Sequence, residues 1–513
     1  MTSAIVARQL GDDYQGVLFW TQAARLLHTR STIADVTFES SDARAFDDVT
    51  VGYRQPVLDC YGEPIDRDCY QVKFQMVSAK PITAESLIDP AFINATAVSL
   101  LQRVRDAQRI YAVAGTRVRL RFATTATIDP NDILARVHSN IDGQIRLDEL
   151  AKDGPRSATG KLRKLWREHL ELTTDDDLYA ALRPFRLDDR HGTLDAARHK
   201  RDVQLAYAGL RPVDGARTDP YDPLLRRLHA EGKVSFTADE LLAITKHEGL
   251  WVGRLPAIAA ARTLGIRSFL HRAEDMAESC DHLLDLAPLF DGRRIRDAAH
   301  WDDDLPARLA EFMQTHALTG SRCVLDLQTH TSVGFAAGHL LDSKSGVDAV
   351  PLQRFRGIQV WEAAEGAHRP DVGAAETVAC GTAGDELALA VSVSQNVLTD
   401  VRSYCAAALP SVDEILHVRV NPAPGVHALD DAAHALQLCR LIGESIQTAR
   451  QLKPRSRIHV FLSAPIAFAF FLGQRSRGWG ELTLYEFEFE AGRVGGYLPA
   501  LKLPRLAPPV VLV

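Results

Sequence analysis

The sharpest chemical pattern in the chain lies near its start. Asp48 opens the run Val49-Thr50-Val51, and Gln71-Val72-Lys73 sits inside a later run, Cys69–Gln75 (CYQVKFQ). In a strand alternate side chains share a face, so Gln71 and Lys73 point one way while Val72 points into the core. If the two strands are neighbours, Asp48 faces that pair. A carboxylate, an amide oxygen and a lysine converging at a sheet edge suit a hard divalent cation, because Mg²⁺ takes oxygen ligands and keeps several of its waters. Such an ion, Mg²⁺ or Mn²⁺, would be held by Asp48 and Gln71. It would activate a water and offset charge on a phosphoryl oxygen, with Lys73 stabilising the negative charge that develops. Glu39, closing the run before Asp48, is the candidate for a further acid, and Asp47 stands behind it. The plainer alternative is a surface ion pair between Lys73 and Asp48 on an ordinary sheet.

The elements that must position these residues can be read from periodicity. Gln15–Thr29 places apolar residues at helical spacing, and short β-rich runs follow at Ala34–Glu39, Asp48–Tyr53 and Cys69–Gln75. A helix is expected around Ala91–Ala107 and a strand over Val118–Ala123. From about 151 to 250 the pattern is helical, charged and loop-rich, broken by Gly154-Pro155 and by Asp214–Pro223. Lys161, Arg163, Lys164 and Arg167 make a locally basic stretch there. It reads either as a solvated helix face or as a contact to nucleic-acid phosphates.

Beyond about residue 320 the strands become smooth and apolar: Cys323–Leu327, Ile358–Trp361, Leu387–Val393, Ile415–Val420 and Ile458–Leu462. Helical patterns such as Ala432–Leu452 sit between several of them, which predicts a parallel sheet with helices on its faces. In such sheets ligands bind beyond the carboxyl ends of the strands, where helix N-termini offer backbone N–H groups to anions. The residues at those ends are Gln328, Thr329 and His330; Ser394, Gln395 and Asn396; Asn421; and Ser463, Ala464 and Pro465. Leu327-Gln328-Thr329 and Ser394-Gln395-Asn396 also suggest a weak internal echo. These residues look like a binding pocket rather than a reaction centre. No Gly-x-Gly-x-x-Gly follows a strand, and there is no Walker A loop or Gly-x-Ser-x-Gly elbow.

Composition narrows the class. The chain has 513 residues, room for about three domain-sized units. Hydrophobic residues at 46% and charged residues at 24% exclude a disordered chain. Lys+Arg 59 against Asp+Glu 66 leaves a net −7, so there is no whole-chain basic footprint for nucleic acid. The seven cysteines form no Cys-x-x-Cys pair and are expected as buried free thiols. The N-terminus lacks an apolar signal-peptide core, and the longest apolar run, Ala464–Gly473, is too short to span a membrane. A soluble, cytoplasmic protein is the expectation.

The first stretch resembles the PD-(D/E)xK nuclease superfamily in the variant whose middle acid is glutamine. The resemblance carries Asp48 over as main metal ligand, Gln71 as second ligand and Lys73 as catalytic lysine. Gly11–Gln15 followed by the amphipathic helix adds to this likeness. Tyr14 and Gln15 match the opening motif of double-stranded-DNA endonuclease domains at the front of bacterial anti-phage effectors, and either pack the helix or reach the site. The last segment, HVFLSAPIAFAFFLGQ followed by LTLYEFEFE, looks like the end of a SAVED domain, a family resembling two fused CRISPR-associated Rossmann-fold (CARF) units that bind cyclic oligonucleotides.

Together the two resemblances imply an α/β architecture. A restriction-endonuclease-like mixed α/β domain with a helical extension would span 1–250. A SAVED domain would span 251–513, its halves at about 300–385 and 386–513. They also imply the DNA-degrading effector of CBASS anti-phage immunity. A cyclic di- or trinucleotide would bind at Gln328, Thr329, His330, Ser394, Gln395, Ser463 and Pro465, protomers would assemble, and Mg²⁺-dependent cleavage of double-stranded DNA would follow. Two other readings stand beside it: a nucleotide-binding scaffold with an inactive nuclease fold, and a restriction-type endonuclease needing no messenger.

Overall fold

The computed structural model describes residues 2–504, except 40–45, 60–62, 76–80, 140–141, 190–192, 214–218, 254–260, 271–272, 274, 355–357, 363–368, 370, 381–383 and 489–495; for 2–8 it describes the helical backbone alone. Cys60 lies outside the described residues; the other six cysteines are free, five of them buried. The chain divides into two compact units, Met1–Leu255 and Pro256–Val513. Among the described residues no helix is long and apolar enough to cross a membrane.

The first unit is built on a six-stranded mixed sheet. Its strands are β1 (Ile33–Phe38), β2 (Val49–Leu58), β3 (Pro64–Lys73), β4 (Val118–Thr124), β5 (Phe185–Asp188) and β6 (Ser235–Thr237), in the order β5-β4-β3-β2-β1-β6. β1, β2 and β3 run antiparallel as a meander, and β3, β4 and β5 run parallel. The helix Thr2–Arg25 buries Leu18, Phe19, Trp20, Ala23 and Ala24 among Val36, Val49, Val51 and Tyr70 of the sheet. It begins well before the expected Gln15 and stops at Arg25. The helix expected at 91–107 lies instead at Leu100–Val113, because Ser99 and Gln102 form a capping box that fixes its start. Helices Ala158–His169 and Asp175–Leu182 cover the β4–β5 side through Leu162, Trp166, Leu178 and Leu182.

The second unit holds two larger sheets and a two-stranded hairpin. Its strands are β7 (Arg262–Arg267), β8 (His282–Asp285), β9 (Phe290–Asp291), β10 (Arg294–Ile295), β11 (Arg322–Gln328), β12 (Asp348–Arg354), β13 (Ile358–Val360), β14 (Gly373–Ala379), β15 (Glu386–Ser392), β16 (Val412–Val420), β17 (Arg457–Ser463), β18 (Glu481–Glu488) and β19 (Gly496–Leu503). One sheet has the order β13-β12-β11-β7-β8 and the other β14-β16-β15-β17-β18-β19, while β9 and β10 pair as the hairpin. The two larger sheets therefore occupy 262–360 and 373–503, rather than parting at about 386.

The two sheets repeat one another. Reading outward from β11 and from β17, each has two parallel strands on one side and a parallel strand followed by an antiparallel one on the other, the second sheet adding the antiparallel β14 beyond β16. β11 thus corresponds to β17, β7 to β15, β8 to β16, β12 to β18 and β13 to β19. The echo proposed between the ends of β11 and β15 pairs the wrong strands.

Helices Thr331–Leu340 and Ile466–Arg475, which follow β11 and β17, pack on each other with reciprocal contacts. A Cβ at Gly338 would meet the carbonyl oxygen of Phe470, and a Cβ at Gly473 would meet that of Phe335. His339 Nδ1 lies 2.8 Å from Ser476 Oγ, and Gln474 Nε2 donates to the Leu341 oxygen at 3.0 Å. Glycine is required at both crossings because two helix backbones approach where no side chain fits.

Candidate active site and strand-end pocket

Asp48 immediately precedes β2 and is pinned by backbone bonds on both sides. Its amide donates to the Tyr70 oxygen at 3.1 Å, and its carbonyl accepts the Glu39 amide at 2.9 Å. The antiparallel register of β2 and β3 then sets it beside Gln71 and Val72. Asp48 Oδ2 accepts from Gln71 Nε2 at 2.6 Å and from the Val72 amide at 2.6 Å.

Burial pushes the Asp48 carboxyl up to about 7, and the charges of Asp47 and Glu39 push the same way against those two hydrogen bonds. Lys73 ends β3 half-buried. Burial and the nearby Arg103 guanidinium hold its ammonium below the ordinary range, while Asp48 acts in the opposite sense. Past Lys73 the strand is tied down by Thr125, whose Oγ1 both accepts from the Gln75 amide and donates to the Gln75 oxygen, each at 2.8 Å.

Glu39 contributes by charge more than by contact. It adopts a left-handed backbone (φ 48°), and its carboxylate lies 3.1 Å from His229 Nε2. Tyr14 is buried, and its ring packs 6.0 Å from that of Phe74, next to Lys73; Gln15 is half-buried. Tyr14 therefore packs the first helix beside the site strand.

The residues at this site fit a hard cation. An aspartate of raised pKa with two more carboxylates close by is relieved by a positive ion, and an amide that donates through Nε2 still carries an acceptor oxygen. Among the described residues no three His, Cys, Asp or Glu side chains gather as a metal centre. Asp48, Gln71 and retained waters would thus form the ligand set, a pattern suited to Mg²⁺. A bound ion would supply Lewis-acid activation of water and of a phosphoryl oxygen.

The basic stretch of the first unit divides. Arg163 is buried, and its guanidinium donates to the oxygens of Leu150, Lys152 and Asp153 and to Asp175, so it is not open to a DNA phosphate. Arg167 lies 2.7 Å from Asp175, and Lys164 lies 3.7 Å from Glu168 one turn on. Lys161 is exposed.

In the second unit the strand-end candidates separate in the same way. Thr329 and His330 are buried. His330 has Ser268 Oγ at 2.7 Å from Nδ1 and the Arg293 oxygen at 2.9 Å from Nε2, and its ring stacks on Phe290. Both ring nitrogens are engaged inside the fold, so His330 is a core histidine here. Gln328, Ser394, Ser463 and Pro465 are half-buried, and Gln395 and Asn396 are exposed. Ser394 and Ser463 adjoin, the Ser394 amide donating to the Ser463 oxygen at 2.7 Å. The N-terminus of helix Thr331–Leu340 is already occupied: Glu486, from the other sheet, accepts the Ser332 amide at 2.6 Å.

Residues 305–503 match the model of the SAVED family, the SMODS-associated and fused to various effectors sensor domain. Over 508 residues the chain is 32% identical to CD-NTase-associated protein 4 of Enterobacter hormaechei subsp. hoffmannii, covering 98% of this chain and all of that one. The chain belongs to the CD-NTase-associated protein 4 family.

Solved structures from this family are also similar. The Acinetobacter baumannii Cap4 SAVED/CARF-domain containing receptor with the cyclic trinucleotide 3′3′3′-cAAA is 12% identical, covers 96% of this chain and 98% of its own, and has a TM-score of 0.39. The Moraxella osloensis Cap4 receptor is 13% identical, covers 96% and 99%, and has a TM-score of 0.33. Within the present chain, the sheet that carries the start of the matched SAVED span also takes in β7 and β8, which precede residue 305.

Arg103, Arg267, Asp326, Arg354 and Glu486 escaped the sequence reading. Arg103, Arg267, Arg354 and Glu486 lie far along the chain from the residues they adjoin, and Asp326, two residues before Gln328, sits inside an otherwise apolar strand.

Proposed function

We propose that this chain is the DNA-cleaving effector of a cyclase-based anti-phage (CBASS) system. A cyclic oligonucleotide made by a partner nucleotidyltransferase binds the SAVED unit, and the first unit then hydrolyses double-stranded DNA with Mg²⁺ or Mn²⁺. The observation that carries the nuclease reading is the meeting of Gln71 and the Val72 amide on one Asp48 oxygen, with Lys73 next on the same strand. Full-length similarity to CD-NTase-associated protein 4 supports joining this site to a nucleotide sensor in one protein.

In this reading Asp48 and Gln71 hold the metal, Lys73 offsets charge at the scissile phosphate, and Glu39 and Asp47 tune Asp48. The messenger, a cyclic di- or trinucleotide, contacts Gln328, Ser394, Gln395, Ser463 and Pro465. Activation is a population shift: the messenger must bind the active state more tightly than the idle one. Self-association serves it, because a chain of net charge −7 gains DNA affinity when several protomers pool their phosphate contacts.

The deciding experiment incubates full-length protein with plasmid, Mg²⁺ and a panel of cyclic di- and trinucleotides. Cutting that requires both the metal and one messenger supports the proposal. Binding without any cutting favours a scaffold with an inactive nuclease fold. Cutting without any nucleotide favours a restriction-type enzyme.

A further inference from the structure

The two repeated sheets differ most on the face turned away from the paired helices. In the second sheet this face is aromatic around Phe461: Ala390, Phe461, Tyr485 and Phe487 pack with Tyr497 beneath helix Leu398–Ala408, while the buried Ser392, His417 and His459 on the same face are hydrogen-bonded among themselves and to Glu376, Glu386 and Tyr485. Register locates their counterparts in the first sheet. Ala390 pairs with Phe461 and Phe461 with Tyr485, as Gly265 pairs with Asp326 and Asp326 with Leu352. Phe487 pairs with Tyr497 as Arg354 pairs with Ile358. Ser392 pairs with Ser463 as Arg267 pairs with Gln328. Where one half has Phe461, Phe487 and Ser392, the other has Asp326, Arg354 and Arg267.

These charges form a braced row. Asp326 is fully buried and bonds Arg354 at 2.5 Å, and Gln328 Nε2 donates to the same carboxylate at 3.3 Å. Arg267 is held by Asp285 at 2.6 Å and by the Ala273 oxygen at 2.8 Å. Arg267, Gln328 and Arg354 end three adjacent parallel strands, and the side chains of both arginines stay partly exposed.

A buried ion pair seldom gains stability over well-packed apolar residues, because desolvation offsets the attraction. This chain has Phe461 and Phe487 where the first half has Asp326 and Arg354, so packing alone does not account for that pair. Their position does, since the carboxyl ends of parallel strands are where such sheets take ligands. An arginine already braced loses little side-chain entropy on binding an anion.

We infer that Arg267, Gln328 and Arg354 form a phosphate-binding subsite for one nucleotide of the cyclic messenger, present in the first SAVED half and absent from the second. The inference rests on the sensor reading above and names where one nucleotide is gripped. Arg267 and Arg354 contact phosphodiester oxygens, and Gln328 between them meets a base or sugar edge.

The test is calorimetric titration of full-length protein with cyclic triadenylate and with the other members of the cyclic nucleotide panel. Arg267→Gln should weaken the wild-type interaction about 10-fold or more, the loss of a charge-assisted bond. The double variant Asp326→Leu with Arg354→Met removes the pair without orphaning a charge. It should lose affinity similarly while melting at or above the wild-type temperature. Arg457→Gln, at the amino end of β17 and paired with Glu481 at 3.0 Å, serves as control and should bind normally.

Affinity retained within about twofold in Arg267→Gln overturns the subsite. So does a double variant that melts lower yet binds as before, which would mark the pair as structural. If the double variant does not fold, Arg267→Gln alone decides. Wild-type protein that binds no cyclic nucleotide overturns the sensor reading and the subsite with it.

Discussion

The candidate site of the first unit comes from one short stretch of chain, whereas that of the second comes from three strand ends far apart in sequence. Asp48 and Gln71 meet because β2 and β3 are antiparallel neighbours joined by a short connection. Arg267, Gln328 and Arg354 meet only because β7, β11 and β12 are parallel, and each parallel link needs a long crossover. Antiparallel sites are therefore legible as motifs, while parallel sites appear only once register is known. The first arrangement concentrates its chemistry on a few side chains. The second spreads it over many, so single substitutions should matter less.

The largest contrast is expected from Lys73. Lys73→Ala should slow DNA cleavage on the order of 10²–10³-fold while messenger affinity stays at the wild-type value. Asp48→Ala should behave alike, and chelation should silence cutting until Mg²⁺ or Mn²⁺ is restored. A plasmid-cutting time course run beside calorimetry reads both quantities. Wild-type cutting by Lys73→Ala would remove the site from the strand where it has been placed.

The converse is a change that harms only the second unit. Gly338→Ala or Gly473→Ala places a methyl against a backbone carbonyl of the partner helix. Overpacking of this kind costs about 1–3 kcal/mol. Denaturant melts that resolve the units should show the second falling and the first unmoved. A change in both would erase the distinction between them.

A smaller effect is expected from Gln395→Glu. Gln395 is exposed on the loop after β15, and in the proposed pocket a new carboxylate there would face the anionic messenger. Affinity should fall several-fold, with cutting reduced at limiting messenger and restored at saturation. Loss of cutting without loss of affinity would make this loop a transmitter of the signal rather than a reader of the ligand.

A further contrast is a pH dependence confined to the first unit. With its carboxyl raised to about 7, folded Asp48 keeps a proton between its ordinary range and neutrality that the unfolded chain has released. That contribution to stability is present in acid and is lost as pH rises through about 7. The melting temperature of metal-free wild type minus that of Asp48→Asn should therefore decrease from pH 5 to pH 8. A flat difference would mean that Asp48 is better solvated than its surroundings indicate.

Legibility followed the same divide. The helix Ala432–Leu452 is observed with the bounds its apolar periodicity predicts, and strands near 118–123 and 458–462 are displaced by no more than a residue. β7 and β14 were missed, for RTLGIR and GAAETVA carry neither a continuous apolar run nor clean alternation. Arg163 was misread for a physical reason: a basic run looks solvated until the carbonyls it caps are known. His330 was misplaced because a polar residue after a strand can as readily close a core network as face a ligand. The internal repeat was sensed, but short polar triplets are shared by chance. The true correspondence runs through Phe335 and Gly338 against Phe470 and Gly473, which recur at one fixed spacing.

That glycine-lined crossing has a consequence for how the second unit opens. With two helix backbones in direct contact, neither sheet can part from the other by sliding or by partial fraying at the seam. The amides of 335–339 and 470–474 should accordingly belong to one cooperative block, exchanging with deuterium at a common, slow rate set by unfolding of the whole unit. The strand-end loops, which lack such a brace, should exchange earlier and independently of one another.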